Sequence, residues 1–399
     1  MLVGVVGKPS AGKSTFFKAM TLANVDIASY PFTTIKPNRG AGHVRIACVD
    51  REFAKSCNPR EGFCVDSNRF LPVELLDVAG LVPGAHEGKG MGNQFLDDLR
   101  QASVLIHVVD ASGSTDEQGR PVDAGAHDPC RDIAFLETEL NLWYLGILKK
   151  PWEKFAKQAV MEHQKVEEAI AKQFSGLNTT TEIVKGIIKK LGLDAENPTK
   201  WSEGNLHDFA VELRKATKPI IIAANKCDLP TSEANIKRMQ AQFPSYIIVP
   251  CSAESELALK EASKEGLVKY IPGDGSISII ADEKLTPQQK KALQFINETV
   301  LKKFGNTGVQ DCLNRAVFEL LGCIAIFPGG VNKLEDQHGR VLPDCFLMPA
   351  GTTALDFAFK LHTDLGQGFI RAIDVKTKKT IGKEHALQNR DVIEIISRK

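Results

Sequence analysis

A chain of 399 residues, 43% hydrophobic and 25% charged, has the make-up of a soluble globular protein and the length for two or three domains. Its net charge of +1 excludes a global basic field, so any nucleic-acid surface must be local. No apolar run approaches the ~18 residues of a membrane span, and the short apolar start runs straight into a glycine-rich loop, unlike a signal peptide. Nine cysteines without a C-x-x-C pair read as free thiols of a reducing cytosol. Cys48, Cys57 and Cys64 are loosely clustered, but no histidine spacing there makes a zinc site.

The first element is a buried strand, Leu2-Val3-Gly4-Val5-Val6. It leads into Gly7-Lys8-Pro9-Ser10-Ala11-Gly12-Lys13-Ser14, which fits G-x-x-x-x-G-K-[ST], and then into a helix from Ser14-Thr15 onward. A strand, a glycine-rich turn and a helix start gather backbone N–H groups at the positive end of a helix dipole. The glycines let the backbone close around phosphate oxygens, Lys13 reaches the β- and γ-phosphates, and the Ser14 hydroxyl is a ligand for Mg²⁺. Tyr30-Pro31-Phe32-Thr33-Thr34 has little helical period. A threonine there can ligate Mg²⁺ only while the γ-phosphate is present, which is how a switch loop is ordered.

The next strand, from Val73, ends in Asp77-Val78-Ala79-Gly80, a D-x-x-G in which Asp77 holds magnesium through water and the Gly80 N–H faces the γ-phosphate. Val104 to Asp110 reads as a central strand with His107 as a core histidine, and Gly113 to Asp128 as a loop. From Arg131 the pattern turns helical. Apolar residues at helical spacing on both sides of Lys149-Lys150-Pro151 predict an antiparallel helical hairpin, and Asp194 to Lys218 reads as a further amphipathic helix that returns the chain to the sheet.

The strand Pro219 to Ala224 leads to Asn225-Lys226-Cys227-Asp228. A carboxylate at Asp228 accepts from both the N1–H and the exocyclic amine of guanine. Adenine offers neither donor there, so the position selects against it. After a further strand, the backbone of Ser252-Ala253-Glu254 is suited to meet the guanine O6. Four elements in this order predict a guanine-nucleotide switch domain that binds GTP and GDP. Residues 277–321 read as mostly helix, Gly322 to Phe327 as a strand, and Asp391 to Ile396 as the closing strand of a last small module.

Asp77-Val78-Ala79-Gly80-Leu81-Val82-Pro83-Gly84-Ala85 and the glycine-rich run from His86 to Leu96 resemble the Obg-related GTPases of the YchF type, in the archaeal and fungal branch. Phe346 to Ala358, His362 to Leu365 and Gly368 to Ala372 resemble the β-grasp module called TGS. The resemblance spans nearly the whole chain. It implies an α/β P-loop domain with a mostly parallel sheet over 1–112 and 217–321, a projecting helical insertion over 113–216, and a TGS domain over 322–399.

By the resemblance, Ser14, Thr34 and Asp77 attend to Mg²⁺, and Lys13, Thr34 and Gly80 serve hydrolysis. Some relatives lack the guanine-reading aspartate and prefer ATP, whereas the intact Asp228 implies GTP here. Ser10 stands where potassium-activated relatives have asparagine, which leaves K⁺ activation open. Leu81 follows D-x-x-G where other GTPases use glutamine to orient water, so hydrolysis unaided should be slow. His86, a cation or a partner are the substitutes to weigh.

TGS modules accompany RNA-linked enzymes, and Arg371, Lys376, Lys378, Lys379 and Lys383 form a candidate basic edge. The expectation is a cytoplasmic, monomeric GTPase docking on the ribosome or RNA. The alternatives are a GTPase with protein partners only, docking through its helices, and a nucleotide sensor with almost no turnover.

Overall fold

The computed structural model describes residues 1–22, 38–78, 92–162 and 165–398. Thr33, Thr34, Ala79, Gly80, Leu81 and His86 lie outside them.

Three strands form the centre: β1 (Leu2–Val6) and, further along the chain, the runs at 104–110 and 220–225. Every residue of all three is buried, as parallel strands covered on both faces require. After β1 come α1 (Lys13–Thr21), β2 (Arg39–Ala47), β3 (Phe63–Val65), β4 (Asn68–Asp77), α2 (Gly92–Gln101) and β5 (Val104–Asp110). Beyond the helical region lie β6 (Ile220–Asn225), then β7 (Ile247–Pro250). The sheet runs β2-β4-β1-β5-β6-β7, with β3 also paired to β4. The pairs from β4–β1 through β6–β7 are parallel, and β2 and β3 run antiparallel to β4.

Alternation along the strands divides their side chains between two cores. Leu2, Val6, Leu105, Val109 and Ile222 face one way, while Val3, Val5, Ile106, Val108 and Ile221 face the other.

Between β5 and β6 the chain is helical, as expected, with five helices among the described residues: α3 (Cys130–Lys149), α4 (Trp152–Met161), α5 (Val166–Gln173), α6 (Thr181–Leu191) and α7 (Glu203–Thr217). α7 falls where a returning helix is expected, the second arm of the expected hairpin is divided into α4 and α5, and α6 is additional. Left-handed residues break the run at Asn178 (φ 55°) and Gly192 (φ 62°). Trp143, Tyr144, Trp152, Phe174, Trp201 and Phe209 share one core with Leu2, Val6 and Leu105 of the sheet. The Tyr144 hydroxyl lies 2.9 Å from Thr217 Oγ1, tying α3 to α7. Apolar residues at Val184, Ile187 and Ile188 extend that core beyond the stripe legible before Phe174.

After β6 the chain adds α8 (Ser232–Gln242), β7 and α9 (Ala253–Lys264). A two-stranded hairpin follows, β8 (Val268–Lys269) with β9 (Ser278–Ile279), then α10 (Pro287–Ile296), α11 (Lys302–Phe304) and α12 (Val309–Arg315). α10 starts on a capping box in which Thr286 and Gln289 satisfy each other's backbone N–H groups, with Pro287 in the first turn.

The last module has β10 (Cys323–Pro328), β11 (Phe346–Pro349), α13 (Ala354–Leu361), α14 (Thr363–Gln367), β12 (Phe369–Asp374), β13 (Lys379–Ile381) and β14 (Val392–Ser397). Its sheet order is β11-β10-β14-β12-β13, with β10 and β14 parallel. Ala354 and Phe357 of α13 close a small core with Ile326, Ala372 and Ile393. Phe327, Leu342 and Val392 reach the second core of the large sheet, so the module is seated on it. Lys376 ion-pairs with Glu52 at 2.7 Å, which removes it from the expected basic edge. Arg371, Lys378, Lys379 and Lys383 are exposed.

Candidate nucleotide-binding site

The loop from Gly7 to Gly12 joins the carboxyl end of β1 to the amino end of α1, the crevice where open α/β sheets bind ligands. Ser10 (φ 61°) and Gly12 (φ 90°) turn the backbone into the left-handed region. Two left-handed residues within three, ahead of a helix start, curl successive N–H groups into an anion-binding nest. A Cβ on Gly12 would stand 2.2 Å from Asn225 Nδ2, and one on Gly7 would stand 2.6 Å from the Val108 carbonyl oxygen. Only glycine fits either place.

Lys8, expected among the binding residues, can serve through its backbone only. Its side chain is buried, donating to the Thr115 carbonyl at 2.9 Å and pairing with Asp132 at 2.9 Å. Pro9 and Ser10 are exposed at the rim, and Ala11 is buried beneath it.

Lys13, at the start of α1, forms an ion pair with Asp77, the last residue of β4. β1 and β4 are in register with Val5 opposite Asp77, so the sheet itself brings the two motifs together. Ser14 is exposed beside them, and Val78 is buried, its N–H donated to the Val5 carbonyl at 3.0 Å. A lysine, a hydroxyl and a carboxylate at the mouth of an anion nest suit a Mg²⁺–phosphate ligand, hard oxygen donors for a hard cation.

At the other end, Gly12, Thr15, Asn225, Lys226, Asp228, Leu229, Ser252, Ala253 and Glu254 line a pocket of about 260 Å³. Asn225 is its brace. Its amide donates to the Ala11 carbonyl at 2.9 Å and its Oδ1 accepts from the Ala253 N–H at 3.0 Å. One buried side chain therefore holds the phosphate loop and the loop before α9 at fixed separation.

Ser252 caps α9, its hydroxyl accepting from the Ser255 N–H at 3.3 Å, while its own N–H goes to the Thr307 carbonyl at 2.9 Å. The N–H groups of Ser252, Ala253 and Ser255 are thus engaged. A donor for a base oxygen in this loop falls to Glu254, the second residue of the helix, whose N–H has no intrahelical acceptor.

Sequence reasoning missed Asp110, at the carboxyl end of β5. It is fully buried and accepts from Lys226 Nζ at 2.8 Å and Thr115 Oγ1 at 2.9 Å. Burial opposes its charge, but Lys226 and Ser112 overcome this and hold the carboxyl below its ordinary range. Lys226 itself adopts φ 62°. The signal was a carboxylate at the end of a central strand that is apolar apart from His107.

The first 2–133 residues match the family described as 50S ribosome-binding GTPase. Residues 223–330 match the Obg-like GTPase YGR210-like, G4 motif-containing domain, and residues 337–397 the TGS domain. The chain is 47% identical over 397 residues to the GTP-binding protein MJ1332 of Methanocaldococcus jannaschii, covering 99% of each. It is 36% identical over 364 residues to the GTP-binding protein C428.15 of Schizosaccharomyces pombe, covering 89% of this chain and 88% of that one. At 27% identity over 418 residues, covering 98% of each, it is similar to a protein of Buchnera aphidicola named ribosome-binding ATPase YchF. A crystal structure of a GTP-binding protein from Pyrococcus horikoshii aligns over 100% of both chains, with a TM-score of 0.79 and 42% identity.

Proposed function

Because this chain belongs to the YchF-type Obg-like GTPases, with a P-loop domain and a TGS domain, we propose that it is a GTP-selective, Mg²⁺-dependent switch that docks on the ribosome. The observation behind the nucleotide part is the Asn225 brace, which holds the phosphate loop beside a pocket lined by Asp228. In this reading Gly7 to Thr15 cradle the phosphates, Lys13 neutralises them, and Ser14, Thr34 and Asp77 attend to Mg²⁺. Bound there, the ion offsets the charge that develops on the phosphates. Lys13 leaves Asp77 for the phosphates when nucleotide arrives. Asp228 accepts from guanine N1–H and its amine, and the Glu254 N–H donates to O6. Val78, Ala79 and Gly80 carry the γ-phosphate signal. With Leu81 where a glutamine would orient water, turnover is slow until a partner or cation completes the site.

The ribosome part rests on the name of the bacterial relatives, on the TGS domain, and on four exposed basic residues, Arg371, Lys378, Lys379 and Lys383. It puts the protein in the cytoplasm; among the described residues no helix is long and apolar enough to cross a membrane. The division into 1–112 with 217–321, 113–216 and 322–399 is retained as the functional one, although the helices share a core with the sheet.

The test is co-sedimentation with ribosomes of the same organism, in a non-hydrolysable GTP analogue and in GDP. The reading expects pelleting in the GTP state that weakens with salt and in Lys378→Glu/Lys379→Glu. Equal supernatant fractions with and without ribosomes would contradict it and favour a GTPase of protein partners only.

A further inference from the structure

Cys48, Cys57 and Cys64 do more than share a stretch of sequence. With Asp50 they bring one ligand atom each, three sulfurs and a carboxylate oxygen, to within 4.8 Å of one another. We propose that these four side chains form a tetrahedral site for Zn²⁺, separate from the nucleotide pocket.

The backbone builds this convergence from three segments. Cys48 follows β2, and its N–H is donated to the Ser67 carbonyl at 2.8 Å. Cys64 lies in β3, which turns into β4 through Asp66 (φ 49°) and Ser67 (φ 60°), a two-residue turn that fixes the register with Cys64 opposite Arg69. A short helical turn at Asp50–Phe53 ends on left-handed Ala54, and the chain then returns Cys57 to the cluster. There the Cys57 N–H meets Asp50 Oδ2 at 3.4 Å.

The donor set has the chemistry of a structural zinc site. Zn²⁺ takes four ligands, thiolates at about 2.3 Å and carboxylate oxygen at about 2.1 Å, which sets sulfurs about 3.8 Å apart. Cys48 and Cys57 Sγ stand 3.5 Å apart, too far for a bond and close to that edge. Thiolates select a soft or borderline cation over Mg²⁺. Cys48 and Asp50 are each 4% exposed, so the cluster is closed to water on that side. A disulfide would use two of the three thiols and leave the third beside a carboxylate.

The ion would also serve as a clasp. The Cys57 loop is where the carboxy-terminal module sits on the large sheet. Asn58 N–H donates to the Val341 carbonyl and Arg60 N–H to the Pro343 carbonyl, both at 2.9 Å. Arg69, 1% exposed, donates to the Leu342 carbonyl at 3.1 Å and to that of Pro343 at 2.8 Å. Binding at the cluster would set the loop that holds this seat.

The test supplies Zn²⁺ alone to the full-length chain, removes excess by gel filtration, and counts zinc by elemental analysis with Mg²⁺ and GTP present. We expect one zinc per chain, at least about tenfold less in Cys57→Ser/Cys64→Ser, and no change in Cys251→Ser, a buried thiol elsewhere. Retained GTP binding shows that the double variant is folded. Asp50→Asn, which keeps all three thiols, should lose zinc to a chelator at least about tenfold more readily. Co²⁺ in place of zinc should give thiolate charge-transfer absorption that the double variant lacks. Zinc equal in wild type and double variant would overturn the site. So would a wild-type chain that holds none, or one isolated with a Cys48–Cys57 disulfide in its place.

Discussion

The two ends of the nucleotide crevice are built differently. At the base end, Asn225 hydrogen-bonds to both the phosphate loop and the loop before α9, and Lys226 is fixed on buried Asp110. None of these bonds has to break for a base to enter beside Asp228. At the phosphate end, Lys13 is committed to Asp77, and under the proposed function a phosphate takes Lys13 from it. The base end is preorganised for recognition. The phosphate end is held by an internal ion pair, which under the proposed function nucleotide and Mg²⁺ replace.

The largest effect should come from Lys13→Ala. Charge-assisted bonds to phosphate contribute about 1.5–3 kcal/mol each, so GTP affinity should fall on the order of a hundredfold in a binding titration, with the melting temperature little changed. An affinity within a factor of two of wild type would place the phosphates elsewhere.

Asn225→Ala tests the other end. It leaves the Ala11 carbonyl and the Ala253 N–H without their partner in a buried place, at about 1–3 kcal/mol each. Unlike Lys13→Ala, it should lower both nucleotide affinity and melting temperature. A variant as stable as wild type would show that the brace is not structural.

Asp77→Asn sharpens the contrast. It frees Lys13 in the empty protein and removes a carboxylate from the Mg²⁺ side. The expected outcome is GDP affinity without Mg²⁺ equal to or about threefold above wild type, and loss of most of the Mg²⁺-dependent gain for GTP. Undiminished Mg²⁺ dependence, read by titration with and without chelator, would take Asp77 out of the site.

A smaller effect concerns His107, buried in β5 behind the crevice. Burial, and then the nearby Lys8 ammonium, push its pKa down to about 3. The unfolded chain takes a proton near 6.5 that the folded chain refuses. Stability is therefore lost as pH falls from about 6.5 toward 3, by up to ~1.4 kcal/mol per pH unit from this one group. His107→Leu should flatten melting temperature against pH in that window. An unchanged slope would assign the acid sensitivity to other groups, of which His43, pushed down to about 4 chiefly by burial, is the first to test.

Much of this was legible in the sequence because the nucleotide motifs are local. Gly7 to Ser14 and Asn225 to Asp228 are short runs attached to buried strands, and a parallel sheet brings the ends of such strands to one edge. The Asn225 brace and the Asp110–Lys226 pair were not legible, since they join residues more than a hundred positions apart. Periodicity on both sides of Pro151 and over 194–218 marks the helical region but cannot say where Asn178 and Gly192 reverse the backbone, which is why α6 between them is not legible. Cys48, Cys57 and Cys64 are loosely clustered in the sequence with no histidine spacing for zinc; their sulfurs meet, with Asp50 beside them, only through the β3–β4 turn and the return at Ala54.

The central claim is that a preformed base end makes this protein choose guanine. Competition of unlabelled GTP, ATP and XTP against a fluorescent GTP analogue, in wild type and in Asp228→Asn, tests it most directly. The account predicts that GTP displaces the probe from wild type at least about a hundredfold more effectively than ATP, and that Asp228→Asn loses GTP and gains XTP, because the variant amide oxygen still accepts from N1–H while its NH₂ donates to the C2 carbonyl that xanthine has in place of the guanine amine. Comparable displacement of the wild-type probe by ATP and GTP would contradict it.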